Sequence, residues 1–123
     1  MAFLTDRKRA TGLGSAKAGT EHFWAMTVSS VALLFLVPLF VFTIGSVIGE
    51  DLATVQAHFA KPWVAILTGL TLTIGLLHFK NGARTFVEDY TQGLLRKLII
   101  IDVTLLSYAA IACGLLALIR LAL

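Results

Sequence analysis

With 123 residues, 58% of them hydrophobic, and a mean hydropathy of +0.88, the chain lies outside the range of an ordinary soluble domain, whose apolar share is nearer ~45–50%. A formal net charge of +3, gathered near the ends of the apolar runs, argues against nucleic acid as a partner and for membrane topology as the origin of the charge. The single cysteine, Cys113, sits inside an apolar run and excludes a disulfide or a zinc site within the chain, as well as the two-thiol attachment of a c-type haem. What remains is an all-α integral membrane protein with three transmembrane helices in a lipid bilayer.

Residues 1–22 are polar, small and basic, with Arg7, Lys8, Arg9 and Lys17 against Asp6 and Glu21, and with Gly12, Gly14 and Gly19. Such a stretch reads as an extended or loosely turned segment. Residues 23–123 form the transmembrane unit, with spans predicted at about 24–48, 63–90 and 98–121. The first span is long enough for the ~30 Å hydrocarbon core even when tilted. It is too long for a cleaved signal sequence, so it is expected to be retained. Pro38 predicts a kink in its middle, tolerable if a neighbouring helix or the Thr43 or Ser46 hydroxyls compensate for the broken bonding. Ser29 and Ser30 give this span a small polar surface suited to close packing or to hydrogen bonds across helices.

The connection at 49–62 is acidic, through Glu50 and Asp51. Leu52, Val55 and Phe59 recur there at helical spacing, which predicts a short amphipathic interfacial helix. His58 on it reads as a solvated or interfacial histidine. Pro62 suits the first turn of the second span. In the third span Asp102 has two readings: a carboxylate favoured at a helix N-terminus, or a part in proton delivery. Arg120 is expected to snorkel to the far surface.

The informative stretch is His78 to Tyr90, HFKNGARTFVEDY, where the second span leaves the membrane. An ionisable residue inside an apolar segment is costly enough that function is the default hypothesis. At about 100° per residue, the eleven steps from His78 to Asp89 close to within roughly 20° of three turns, so His78, Gly82 and Asp89 share a face. Gly82, one turn below His78, lets a flat, bulky group lie against the backbone beside the imidazole. Tyr90 lies about 18 Å further along the axis than His78. Arg84 and Glu88 are spaced for an i,i+4 pair of small energetic worth.

His78, Gly82, Asp89 and Tyr90 form an H-x3-G-x6-D-Y pattern that resembles the small, cytochrome b-type hydrophobic membrane anchor of succinate dehydrogenase, respiratory complex II. Gly14, Ser15, Ala16, Lys17, Gly19, His22 and Trp24 are similar to a further signature of that family. The resemblance implies that His78 is an axial ligand of haem b and that Tyr90, beside Asp89, lines a ubiquinone pocket. It also implies that the chain is part of a larger heteromeric helix bundle. The partners would be a second membrane-anchor cytochrome b subunit, an iron–sulfur subunit and a flavoprotein subunit. At Met26 and Thr27 the chain departs from relatives that carry glutamine and arginine, so a partner would have to supply the cation that the arginine provides. For His22 two readings stand side by side: contact with a haem propionate, or an interfacial residue beside Trp24 in an aromatic belt.

Positive charge before the first span and between the second and third predicts an N-terminus in the cytoplasm, or in the matrix of a mitochondrion. With the resemblance, and without an arginine-rich amphipathic presequence in residues 1–22, the expectation is a multi-pass protein of the bacterial inner membrane, the mitochondrial inner membrane being the alternative. Asp89 and Tyr90 then face the side from which a soluble dehydrogenase delivers electrons. A b-type haem in electron transfer takes two axial nitrogens, and only one histidine lies within a span, so the second would come from another polypeptide. The competing reading of His78 is a core histidine bonded to a hydroxyl on a neighbouring helix. The alternatives to the whole assignment are the anchor of a fumarate reductase and a cofactor-free structural subunit.

Overall fold

The computed structural model describes residues 4–12 and 19–123. Met1–Phe3 and Leu13–Ala18, and with them the Gly14, Ser15, Ala16 and Lys17 part of the N-terminal signature, lie outside the described residues. Among the described residues five helices follow one another: α1 (Asp6–Thr11), α2 (Gly19–Gly45), α3 (Leu52–Phe59), α4 (Pro62–Tyr90) and α5 (Gly93–Ala122). Among the described residues there is no strand.

α2, α4 and α5 have 27, 29 and 30 residues and are long and apolar enough to cross a membrane. At 1.5 Å per residue they measure about 40–45 Å, more than the ~30 Å hydrocarbon core. Their surfaces are what that solvent demands: Phe35, Phe42, Leu98, Leu105 and Leu116 all point outward. Among the described residues only Val64, Thr71, Val87 and Ser107 are buried within the chain itself. The Thr71 and Ser107 hydroxyls are satisfied by their own helices, donating to Leu67 O and Val103 O at 2.8 and 2.7 Å, as a medium without water favours, whereas the Thr68 hydroxyl is enclosed with no partner among the described residues.

α4 is the central element. It packs against α2 on one side and α5 on the other, and α2 and α5 do not touch among the described residues. The α2 seam is an antiparallel ladder, and its rungs pair Leu33 with Gly75, Ser29 with His78, Met26 with Gly82, and His22 with Thr85. Steps of three and four on both helices make this coiled-coil packing. On the α5 side, Gly69 opens against Leu115 and Leu118, and Gly114 against Leu72. The antiparallel order gathers the start of α2, the end of α4 and the start of α5 at one end of the bundle.

Three expectations need correction. The N-terminal segment is not simply extended: Thr5 caps α1, accepting from Lys8 N at 3.3 Å, and α2 already begins at Gly19. α5 begins at Gly93, in the left-handed region at φ 63°, and not after the basic pair, because Arg96 folds back to donate to Thr91 O at 2.8 Å. Asp102 is therefore about two and a half turns inside α5, exposed and beyond the reach of the N-terminal dipole. Of the two readings of His58, solvated or interfacial, the first needs correction. The residue is half-buried with edge contacts to Phe59 and Trp63, and its Nε2 is enclosed with no hydrogen-bond partner among the described residues. α3 itself forms as the acidic connection predicts, with Asp51 as N-cap accepting from Thr54 N at 2.9 Å. That contact with Thr54 holds the Asp51 carboxyl below its ordinary value. α2 continues through Pro38, and the Ser46 hydroxyl turns to Thr43 O at 2.7 Å instead of to the carbonyls that the proline frees.

Candidate functional site

His78 lies on the α4 face that meets α2, half-buried, with Nδ1 2.8 Å from Ser29 Oγ. This is the contact of a core histidine with a neighbouring hydroxyl, yet it engages only one ring nitrogen. No hydrogen bond is made by Nε2 among the described residues. Ser29 Oγ also lies 2.7 Å from Ala25 O and 3.0 Å from Met26 O.

Beside this pair a groove of about 540 Å³ opens between α2 and α4, with Ser29, Val28 and Ala32 on one wall and Ile74, Leu77 and Lys80 on the other. Its volume falls within the roughly 300–1,000 Å³ of small-molecule and cofactor sites, and its apolar lining with few polar groups has their character. Lys80 is the cation on the wall. Its Nζ is 3.4 Å from Tyr108 Oη and 5.1 Å from the centre of that ring, a cation held over an aromatic face of α5.

Gly82 faces Met26, whose Cε would lie 3.8 Å from a Cβ built there. The first atom against the bare backbone is thus the tip of a flexible side chain. Thr27 donates to Phe23 O at 2.9 Å, its hydroxyl turned back on its own helix.

At the end of the bundle, His22 Nε2 lies 3.2 Å from Thr85 Oγ1. His22 shares a cavity of about 490 Å³ with Gly19, Glu21, Arg84 and Glu88. The expected Arg84–Glu88 pair is present at 2.8 Å and largely exposed. Thr85 Oγ1 also approaches Asn81 O at 3.2 Å, so its single proton goes either to that carbonyl or to the imidazole. Asp89 and Tyr90 are exposed, and Tyr90 stacks on Phe86 with ring centres 4.6 Å apart.

The fold therefore brings His78, Gly82 and His22 onto one seam and puts Asp89 and Tyr90 at its open end. Sequence reasoning gave Ser29 a packing or cross-helix bonding role without a partner, noted Met26 only as a departure from relatives without its place against Gly82, and missed the Lys80–Tyr108 contact. The matching three- and four-residue steps of 22–26–29–33 and 75–78–82–85 were a signal for the pairing.

A family model described as the succinate dehydrogenase/fumarate reductase transmembrane subunit matches residues 2–119. The succinate dehydrogenase hydrophobic membrane anchor subunit of Paracoccus denitrificans is 44% identical over 123 residues, covering 100% of this chain and 95% of its own. The subunits of that name from Rickettsia typhi and Rickettsia prowazekii are each 29% identical over 91 residues, 72% of this chain and 70% of theirs. No solved structure matches the chain. A match along almost the whole length, on three helices with the dimensions of membrane spans, means that the chain belongs to the succinate dehydrogenase/fumarate reductase transmembrane subunits, as a hydrophobic membrane anchor.

Proposed function

We propose that the chain anchors a succinate:ubiquinone oxidoreductase in the bacterial inner membrane, with its N-terminus cytoplasmic. His78 gives one axial ligand to a haem b shared with a second cytochrome b anchor subunit. Tyr90 and Asp89 contribute to the ubiquinone-reduction site. The flavoprotein and iron–sulfur subunits, which oxidise succinate, dock at the end that carries His22, Asp89 and Tyr90.

His78 carries this reading: inside a membrane span, its ring uses Nδ1 alone, beside a largely apolar groove of about 540 Å³. A metal needs the other nitrogen with its lone pair, so the donor set fits a haem iron held from one side. A bound haem supplies one-electron chemistry at a potential set by its ligands and surroundings. Within the chain His78 binds, while Val28, Ala32, Ile74 and Leu77 keep water from the groove. His22 would offer a ring N–H to a propionate of the bound haem. Gly82 keeps a side chain off the backbone one turn from His78, where only the Met26 tip has to move.

Reduction of a quinone adds two electrons and two protons, so its site needs a donor to a carbonyl oxygen and a path for protons. The Tyr90 phenol, exposed at the end of α4, suits the first need. The adjacent Asp89 carboxylate suits the second.

The test is a reduced-minus-oxidised absorption spectrum of the complex purified through a tag on this chain. A b-type haem band and a co-purifying flavoprotein are expected, and His78→Ala abolishes or displaces the band. Tyr90→Phe slows quinone reduction by about 10²-fold, the low end for loss of a positioned proton donor, while succinate oxidation by an artificial dye stays intact. A colourless preparation without flavoprotein would make the chain a structural subunit.

A further inference from the structure

We infer that Ser29 is a positioning residue for His78: it fixes the imidazole as the Nδ1–H tautomer and strengthens Nε2 as a ligand. The inference rests on the reading of His78 as a haem ligand given above.

A serine hydroxyl has one proton and two lone pairs. Ala25 O and Met26 O, 2.7 and 3.0 Å from Ser29 Oγ, are acceptors only, so the proton belongs to the helix's own carbonyls. This is where a serine proton rests in a helix without water. Toward His78 Nδ1, 2.8 Å away, the oxygen has only a lone pair to offer. Nδ1 must then carry the hydrogen, and the lone pair of the neutral ring sits on Nε2.

Three consequences follow for a ligand. The other tautomer, which would turn an N–H toward the metal, has no donor for its Nδ1 lone pair here. The ring is held against rotation by a bond between two helices, so its plane is set by the α2/α4 register. An acceptor on Nδ1–H raises the basicity of the opposite nitrogen, and a hydroxyl that is itself donating is a better acceptor than a free one. A more basic ligand favours ferric over ferrous iron, which lowers the midpoint potential.

The experiment uses the assembled complex with Ser29→Ala, Ser29→Cys and Ser29→Thr, and reads the haem midpoint potential by optical titration and the low-spin ferric g-values. Ser29→Ala is expected to keep haem, shift its potential positive and change the g-values, because the acceptor is gone. Ser29→Thr retains an Oγ and returns both readouts toward wild type. Ser29→Cys keeps the volume with a weaker acceptor, and shifts the potential in the same direction should the alanine variant fail to assemble. Haem whose potential and g-values are unchanged by Ala or Cys overturns the role of Ser29 while leaving His78 as ligand. Equal shifts from Ala and Thr overturn it too, since sterics would then suffice. A wild-type complex with no haem overturns the ligand reading and this inference together.

Discussion

The two seams of α4 differ in kind. Against α5, small residues meet leucines, Gly69 with Leu115 and Leu118 and Gly114 with Leu72, and the polar contact of Lys80 with Tyr108 is an exposed one. Against α2, two of the four rungs are polar pairs, Ser29 with His78 and His22 with Thr85. In a bilayer the hydrophobic effect does not hold helices together, and close approach at small residues is enough. The α5 seam shows that this chain has that means of packing. The polar rungs on the other side exceed what association needs, and the presence of an intramembrane histidine among them supports the proposal that the α2 seam is the functional one.

A change in the α5 seam should therefore damage the fold and spare the site. Gly114→Val is the larger perturbation, because a Cβ there would already run into Leu72 Cδ2, and a branched side chain adds two methyls. Overpacking of this kind costs about 1–3 kcal/mol. The expected result is a lower midpoint in thermal unfolding of the complex, with the haem spectrum of the surviving fraction unchanged. A spectral shift with no loss of stability would reverse the roles of the two seams.

The spans were legible because runs of apolar residues this long have few other uses. Their ends were harder. Arg96 and Lys97 suggested a late start for α5, but a glycine in the left-handed region and the Arg96 contact to Thr91 O carry the helix back to Gly93. The helix-N-terminus reading of Asp102 fails for the same reason. At the site, the shared face of His78 and Gly82 followed from helical rotation alone. The partner of His78 did not, because it depends on the register between α2 and α4, and a one-turn slide would pair other residues. Met26 illustrates the point: in sequence it marks a departure from relatives, and in the fold it fills the space at Gly82.

The smallest effect is expected at that glycine. In Gly82→Ala the new methyl would sit 3.8 Å from Met26 Cε, an ordinary contact, so stability should stay within about 0.5 kcal/mol of wild type. A flat group lying against the bare backbone beside His78 would feel the methyl directly. The haem band is therefore expected to move while the unfolding midpoint does not, in contrast to Gly114→Val. Should both stay fixed, the space at Gly82 serves Met26 alone, and the proposed haem would meet the α2 seam only at the rung of Ser29 and His78.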